Sequence, residues 1–184
     1  MEFDGYGTSL IMGYKIPRTM EKEHEELHAE LRKATAAGDA TGRSAKKLAS
    51  VVHPHFVKEE DFALPPLGLL PSLSKGKVTP DMKDVLLMTD KLKTDLNQML
   101  KEHEEIVAVL EQLATAARKE RKLKYVRFAD RLTLHAQTEE DVYYPAAILI
   151  GEYLKLKLAR TNAKKPSKRM PNQKTGSKKE RVKQ

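Results

Sequence analysis

Two stretches of the chain read HFVKEEDFALP and HAQTEEDVYYP, at residues 55–65 and 135–145. In each, a histidine is followed four residues later by a glutamate, which on a helix puts imidazole and carboxylate on one face, a turn apart. Two more stretches, MEKEHEELHAEL at 20–31 and MLKEHEEIVAVL at 99–110, carry a histidine inside EHEE. Imidazole with carboxylate is the donor mixture of iron, manganese or zinc, whereas calcium and magnesium prefer shells of oxygen alone. The chain has no cysteine, which excludes disulfides, cysteine-zinc sites and cysteine-ligated iron–sulfur clusters. The chemistry in view is therefore that of His24, His55, Glu59, His103, His135 and Glu139 around metal ions.

Four helical segments must bring these residues together. The first is expected at about 18–35, ending near Gly38, and the second at about 41–63, ending at Pro65-Pro66. A connection bearing Gly, Pro and Ser follows at 67–78. Thr79-Pro80-Asp81, an N-cap followed by proline at the first helical position, opens a third segment running to about Lys119. The fourth runs from about Leu123 into the 150s, with Pro145 expected to bend it. The links within each pair are short, so each pair should be an antiparallel hairpin. The second pair repeats the first. Residues 20–31 and 99–110 share eight of twelve positions, and 55–65 and 135–145 share five of eleven. Two copies of a hairpin predict an all-α, up-down-up-down four-helix bundle.

Apolar positions step by three and four along every segment, as a core-facing seam requires. The seams read Met20, His24, Leu27, Leu31; Leu48, Val52, His55, Glu59, Phe62; Leu96, Met99, His103, Ile106, Leu110, Leu113; and Phe128, Leu132, His135, Glu139, Val142. A histidine lies on each. The four histidines stand 14 to 17 residues from their turns, roughly 24 Å along a helix, so all four fall at one height. Buried carboxylates without partners cost several kcal/mol each, as an order of magnitude, and two cations would remove that cost.

Composition fits this picture. Hydrophobic residues are 40% and charged residues 33% of 184, with few aromatics and no Trp, a mix that favours helices. No apolar run approaches a membrane span. The N-terminus lacks the basic lead and long apolar stretch of a secretion signal, and a cytoplasmic location is expected. The net charge of +8 belongs to one end: residues 160–184 hold ten Lys or Arg and one acid, leaving 24 bases and 25 acids elsewhere. The expected organisation is an extension at 1–17, a bundle at 18–160 and a disordered basic tail at 161–184. Such a tail suits nonspecific contact with polyanions.

HxxxEE with a proline ten residues after the histidine, present in both halves and each time preceded by a helix with EHEE, resembles the hemerythrin-like HHE cation-binding family from about 20 to 153. The resemblance implies a di-iron centre, oxo- or hydroxo-bridged, ligated by His24, His55, Glu59, His103, His135 and Glu139. Glu59 and Glu139 would be the bridging carboxylates, and manganese and zinc rank behind iron. Oxygen-carrying hemerythrins have HxxxH on the third helix, where Val107 stands here, and an Asp five residues after the last histidine, where Glu139 comes four after. The pattern is similar instead to bacterial HHE proteins and to iron or oxygen sensors.

Other residues carry less. His28 lies beside its seam and is expected near the ligands or at the surface rather than among them; His53 is expected on the helix surface. Glu25, Glu26, Glu104 and Glu105 are expected to be solvated or to stand behind the ligands rather than to bind metal, and Glu60, Asp61, Glu140 and Asp141 to orient ligands or face water. Tyr143, four after Glu139, is a candidate neighbour of the metals, with plain packing the equal alternative. Pro54 is expected to kink the second helix beside His55. The function this suggests is a non-heme di-iron protein that binds or reacts with oxygen, nitric oxide or peroxide, as a sensor, store or stress-response protein. Two alternatives stand beside it: a di-iron enzyme that decomposes peroxide or releases iron, and an interaction protein recruited through its basic tail, with structural metals. The oligomeric state is left open.

Overall fold

The computed structural model describes residues 14–163, with side chains to 160. Helix α1 (Arg18–Thr35) turns at Gly38, whose φ of 70° is the left-handed conformation that favours glycine, into α2 (Asp39–Lys58). Pro54 does not break α2. The departure from α geometry comes just beyond, as a π turn at Glu59–Ala63 in which the Leu64 amide donates to the Glu59 carbonyl at 2.9 Å.

The connection expected as a plain loop is itself helical. A 3-10 turn (Pro65–Leu69), one turn of helix α3 (Leu70–Leu73) and a second 3-10 turn (Pro80–Asp84) lead into α4 (Val85–Lys119). Its apolar residues explain the difference: Leu67 and Leu69 are buried in the apolar cluster at this end of the bundle. Tyr14 and Ile16, from the expected N-terminal extension, pack on the same cluster, and the Tyr14 hydroxyl donates to the Asp81 carbonyl at 2.8 Å. Thr79 occupies the N-cap position, but its side chain makes no capping hydrogen bond.

Helix α5 (Leu123–Thr138) continues through a second π turn (Glu139–Tyr143) into α6 (Tyr144–Ala163). Pro145 acts through this turn: lacking an N–H and crowding the carbonyl four residues back, it disfavours a regular α turn there. The two π turns occupy matching positions in the two repeats, each with proline two residues beyond its end.

Packing follows a ring. Helix α1 contacts α2, α2 contacts α4, α4 contacts α5 and α6, and α5 returns to α1. At the tight-turn end lies one apolar cluster, including Leu27, Leu48, Val52, Leu110, Leu113 and Phe128. The other, including Phe62, Leu67, Leu92, Met99, Tyr144 and Leu154, fills the opposite end. On every segment the expected metal-binding positions fall between these clusters. Gly151 allows α6 to approach α4, since a Cβ there would stand 2.3 Å from Thr89 Oγ1. Among the described residues there is no strand, and no helix is long and apolar enough to cross a membrane. The basic segment from 164 onward lies outside the described residues.

Candidate metal centre

His24, His55, Glu59, His103, His135 and Glu139 all converge in the layer between the two apolar clusters, each nearly inaccessible to solvent. They form two sets of four donors: His24, His135, Glu59 and Glu139, and His55, His103, Glu59 and Glu139. Each histidine pair joins the two hairpins, and both carboxylates belong to both sets.

The oxygens divide between the sets. Glu59 Oε1 is 3.1 Å from His55 Nε2 and 3.7 Å from His103 Nε2, while its Oε2 is 3.9 Å from His24 Nε2. Glu139 Oε1 is 3.1 Å from His135 Nε2 and 3.6 Å from His24 Nε2, while its Oε2 is 3.5 Å from His103 Nε2. The paired imidazoles face each other through Nε2, at 2.7 Å for His55 and His103 and 3.2 Å for His24 and His135. Donors about 2.1 Å from one ion stand about 3 Å apart at right angles and about 4 Å apart when opposed, so these separations suit a shared ion in each set. Among the described residues, no hydrogen bond reaches the buried Glu59 Oε2, Glu139 Oε1 or His135 Nδ1. Two buried carboxylate oxygens without donors, aimed at imidazole nitrogens, fit a cation.

Behind the histidines stands a second layer of carboxylates. His24 Nδ1 donates to Glu60 at 3.1 Å, His55 Nδ1 to Glu102 at 2.8 Å and His103 Nδ1 to Glu140 at 2.8 Å. Glu23 stands 3.5 Å from His135 Nδ1. The carboxylates cross between elements: Glu102 of α4 accepts from the histidine of α2, Glu60 and Glu140 in the π turns accept from those of α1 and α4, and Glu23 of α1 lies near that of α5 without a hydrogen bond. A proton on Nδ1 leaves the Nε2 lone pair directed inward. Glu102 is held further by Lys58 and by Gln98 at 3.1 Å. It borders a groove of about 310 Å³, lined also by Pro54 and His55.

By themselves the histidines hold their protons tightly and the carboxylates hold theirs loosely. Burial opposes charge on His24, but Glu139, Glu60 and Glu59 outweigh it and hold the imidazole up at about 10. His103 also stands at about 10, burial being overcome by Glu139 and Glu59. Burial likewise works against the Glu59 carboxylate, yet His103 and His55 hold it well below the usual range. Burial and the Glu59 charge push Glu139 up, and His103, His135 and His24 bring it below its ordinary value. Glu102, opposed by burial, is drawn down to about 2 by His55 and Lys58.

The remaining candidates fall elsewhere. His28 is half-buried with its ring 4.9 Å from Phe56 and belongs to neither donor set. His53 is exposed, and Glu25, Glu26, Glu104, Glu105 and Asp141 face solvent. Glu60 and Glu140 are the orienting members of their group. Tyr143 is only half-buried; the tyrosine in the site is Tyr144, whose hydroxyl donates to Glu59 Oε1 and lies 3.4 Å from His55 Nε2 and 3.3 Å from His103 Nε2. Burial, then the charges of Glu59 and Glu139, hold this phenol protonated far above the usual tyrosine range. The sequence reading also missed Glu23 and Glu102, although both precede a histidine in the repeated KEH.

Carboxylates shared between two histidine pairs inside a helical bundle make a site that could hold cations. The chain belongs to the hemerythrin family: the family model described as hemerythrin HHE cation binding domain matches residues 15–147. No curated protein and no solved structure matches the chain.

Proposed function

We propose that the chain is a non-heme di-iron protein that reacts with oxygen, nitric oxide or peroxide and serves as a sensor, store or stress-response protein. The observation that carries this reading is the sharing of both buried carboxylates by two histidine pairs. His24 and His135 would hold one iron and His55 and His103 the other, with Glu59 and Glu139 bridging. When bound, a pair of ferrous ions supplies electrons to a small oxidant. The protein's part is to hold and shield the pair. Glu60, Glu102 and Glu140 fix the imidazole rings by accepting Nδ1–H, and the apolar clusters above and below exclude bulk water. Val107 takes the place of the additional histidine in oxygen carriers, leaving one fewer protein donor and favouring irreversible reaction over oxygen carriage.

The test is anaerobic loading with ferrous salt, metal analysis, then oxygen addition and argon purging while the absorption spectrum is followed. About two irons per chain and oxidation that purging does not reverse are expected. No iron retained after desalting would overturn the reading. Full recovery of the ferrous spectrum over several cycles would replace it with oxygen carriage. Sustained peroxide turnover would make the protein an enzyme.

A further inference from the structure

The repeat relates the two halves of the centre, yet they differ in chemistry at two matched positions. Tyr144 lies nine residues after His135, and the residue nine after His55 is Leu64. One hairpin therefore contributes a phenol where the other contributes an alkyl chain. The second difference runs the opposite way. Phe56, which stacks on His24 at 4.4 Å between ring centroids, has Ala136 as its counterpart. The His24–His135 half is thus walled by an aromatic hydrocarbon, and the His55–His103 half by a tyrosine.

The Tyr144 oxygen lies against three donors of one set: His55 Nε2 at 3.4 Å, His103 Nε2 at 3.3 Å, and Glu59 Oε1 in a short hydrogen bond. These are separations of neighbouring ligands around one ion, by the same geometry that relates the histidines and glutamates to each other. Its ring lies nearly parallel to that of His103, with centroids 5.7 Å apart, and the side chain is fully buried. We propose that Tyr144 is a phenolate ligand to the iron held by His55 and His103, and that the two irons are consequently inequivalent. This rests on the di-iron reading above. On ligation by ferric iron the phenol O–H bond breaks as the O–Fe bond forms, and the proton leaves to solvent; no electron moves. A bound cation favours the anionic phenolate that the two carboxylates otherwise disfavour.

The test uses the full chain loaded with ferrous ammonium sulfate under argon and then oxidised in air, beside Tyr144→Phe treated identically. Iron content, visible absorption and resonance Raman spectra are recorded. The expected result is a phenolate-to-iron charge-transfer band with enhanced tyrosine ring vibrations in the wild type. Tyr144→Phe should retain iron and lose both signals. Wild-type protein that holds iron but shows no enhanced tyrosine vibrations overturns the assignment and leaves Tyr144 as a hydrogen-bond donor to Glu59. That readout needs no variant, so misfolding of Tyr144→Phe does not protect the proposal. Failure of the wild type to hold iron overturns the di-iron reading, and this assignment with it.

Discussion

Taken one by one, the donors differ in how many ions each should control. His103 belongs to one set, so His103→Ala is expected to lose at least one metal, whereas His53→Ala, altering an exposed ring, should lose none. Glu59 belongs to both sets, and Glu59→Ala should weaken both. Glu140 touches His103 only through Nδ1, so Glu140→Ala should lower affinity about 10–100-fold at one site and spare the other. Metal analysis after dialysis against graded chelator separates these outcomes, and equal loss from His103→Ala and His53→Ala would undermine the assignment. The convergence of the six residues was legible because the repeat placed them twice at matching heights. Tyr144 was not. An α-helical period puts the residue four after Glu139 on its face, and so points to Tyr143. The π turn adds a residue, bonds the Tyr144 amide to the Glu139 carbonyl, and carries Tyr144 inward instead. Val142, expected on the same seam, is left exposed.

Between elements, the tight-turn end has its own fastening. Glu120, at the turn after α4, accepts from the Ala40 amide at 2.8 Å and the Thr41 hydroxyl at 2.6 Å, capping the start of α2 across the bundle. The Thr41 hydroxyl and Lys122 hold its carboxyl down at about 2. A depressed folded-state value means the stabilisation is complete above the ordinary carboxylate range and is lost as pH falls through about 2. Glu120→Gln should therefore melt lower than wild type at neutral pH, with the difference closing in strong acid; thermal melts of metal-free protein across pH test this. At the opposite end, Gly151→Ala should cost about 1–3 kcal/mol by overpacking against Thr89, measured by denaturant unfolding. Hairpins and helix starts could be read from turn residues and periodicity. The helical character of the connection could not, because Pro, Gly and Ser signal a break while the burial of Leu67 and Leu69 depends on tertiary contacts.

For the molecule entire, metal and fold should be linked. Ligand at about 100 times its dissociation constant stabilises by about 2.7 kcal/mol, which for a chain of this size is a rise of roughly 5–10 °C in melting temperature. A melting temperature unchanged by iron at neutral pH would contradict this. Deleting residues 164–184 should leave iron content intact, and any salt-sensitive affinity for polyanions should disappear with them. Each donor set takes one histidine from each hairpin. Cutting the chain in the connection between them would thus yield two fragments, neither with a complete set. Mixed together, they should regain both sites in a single step, so that metal uptake becomes a readout of fragment complementation.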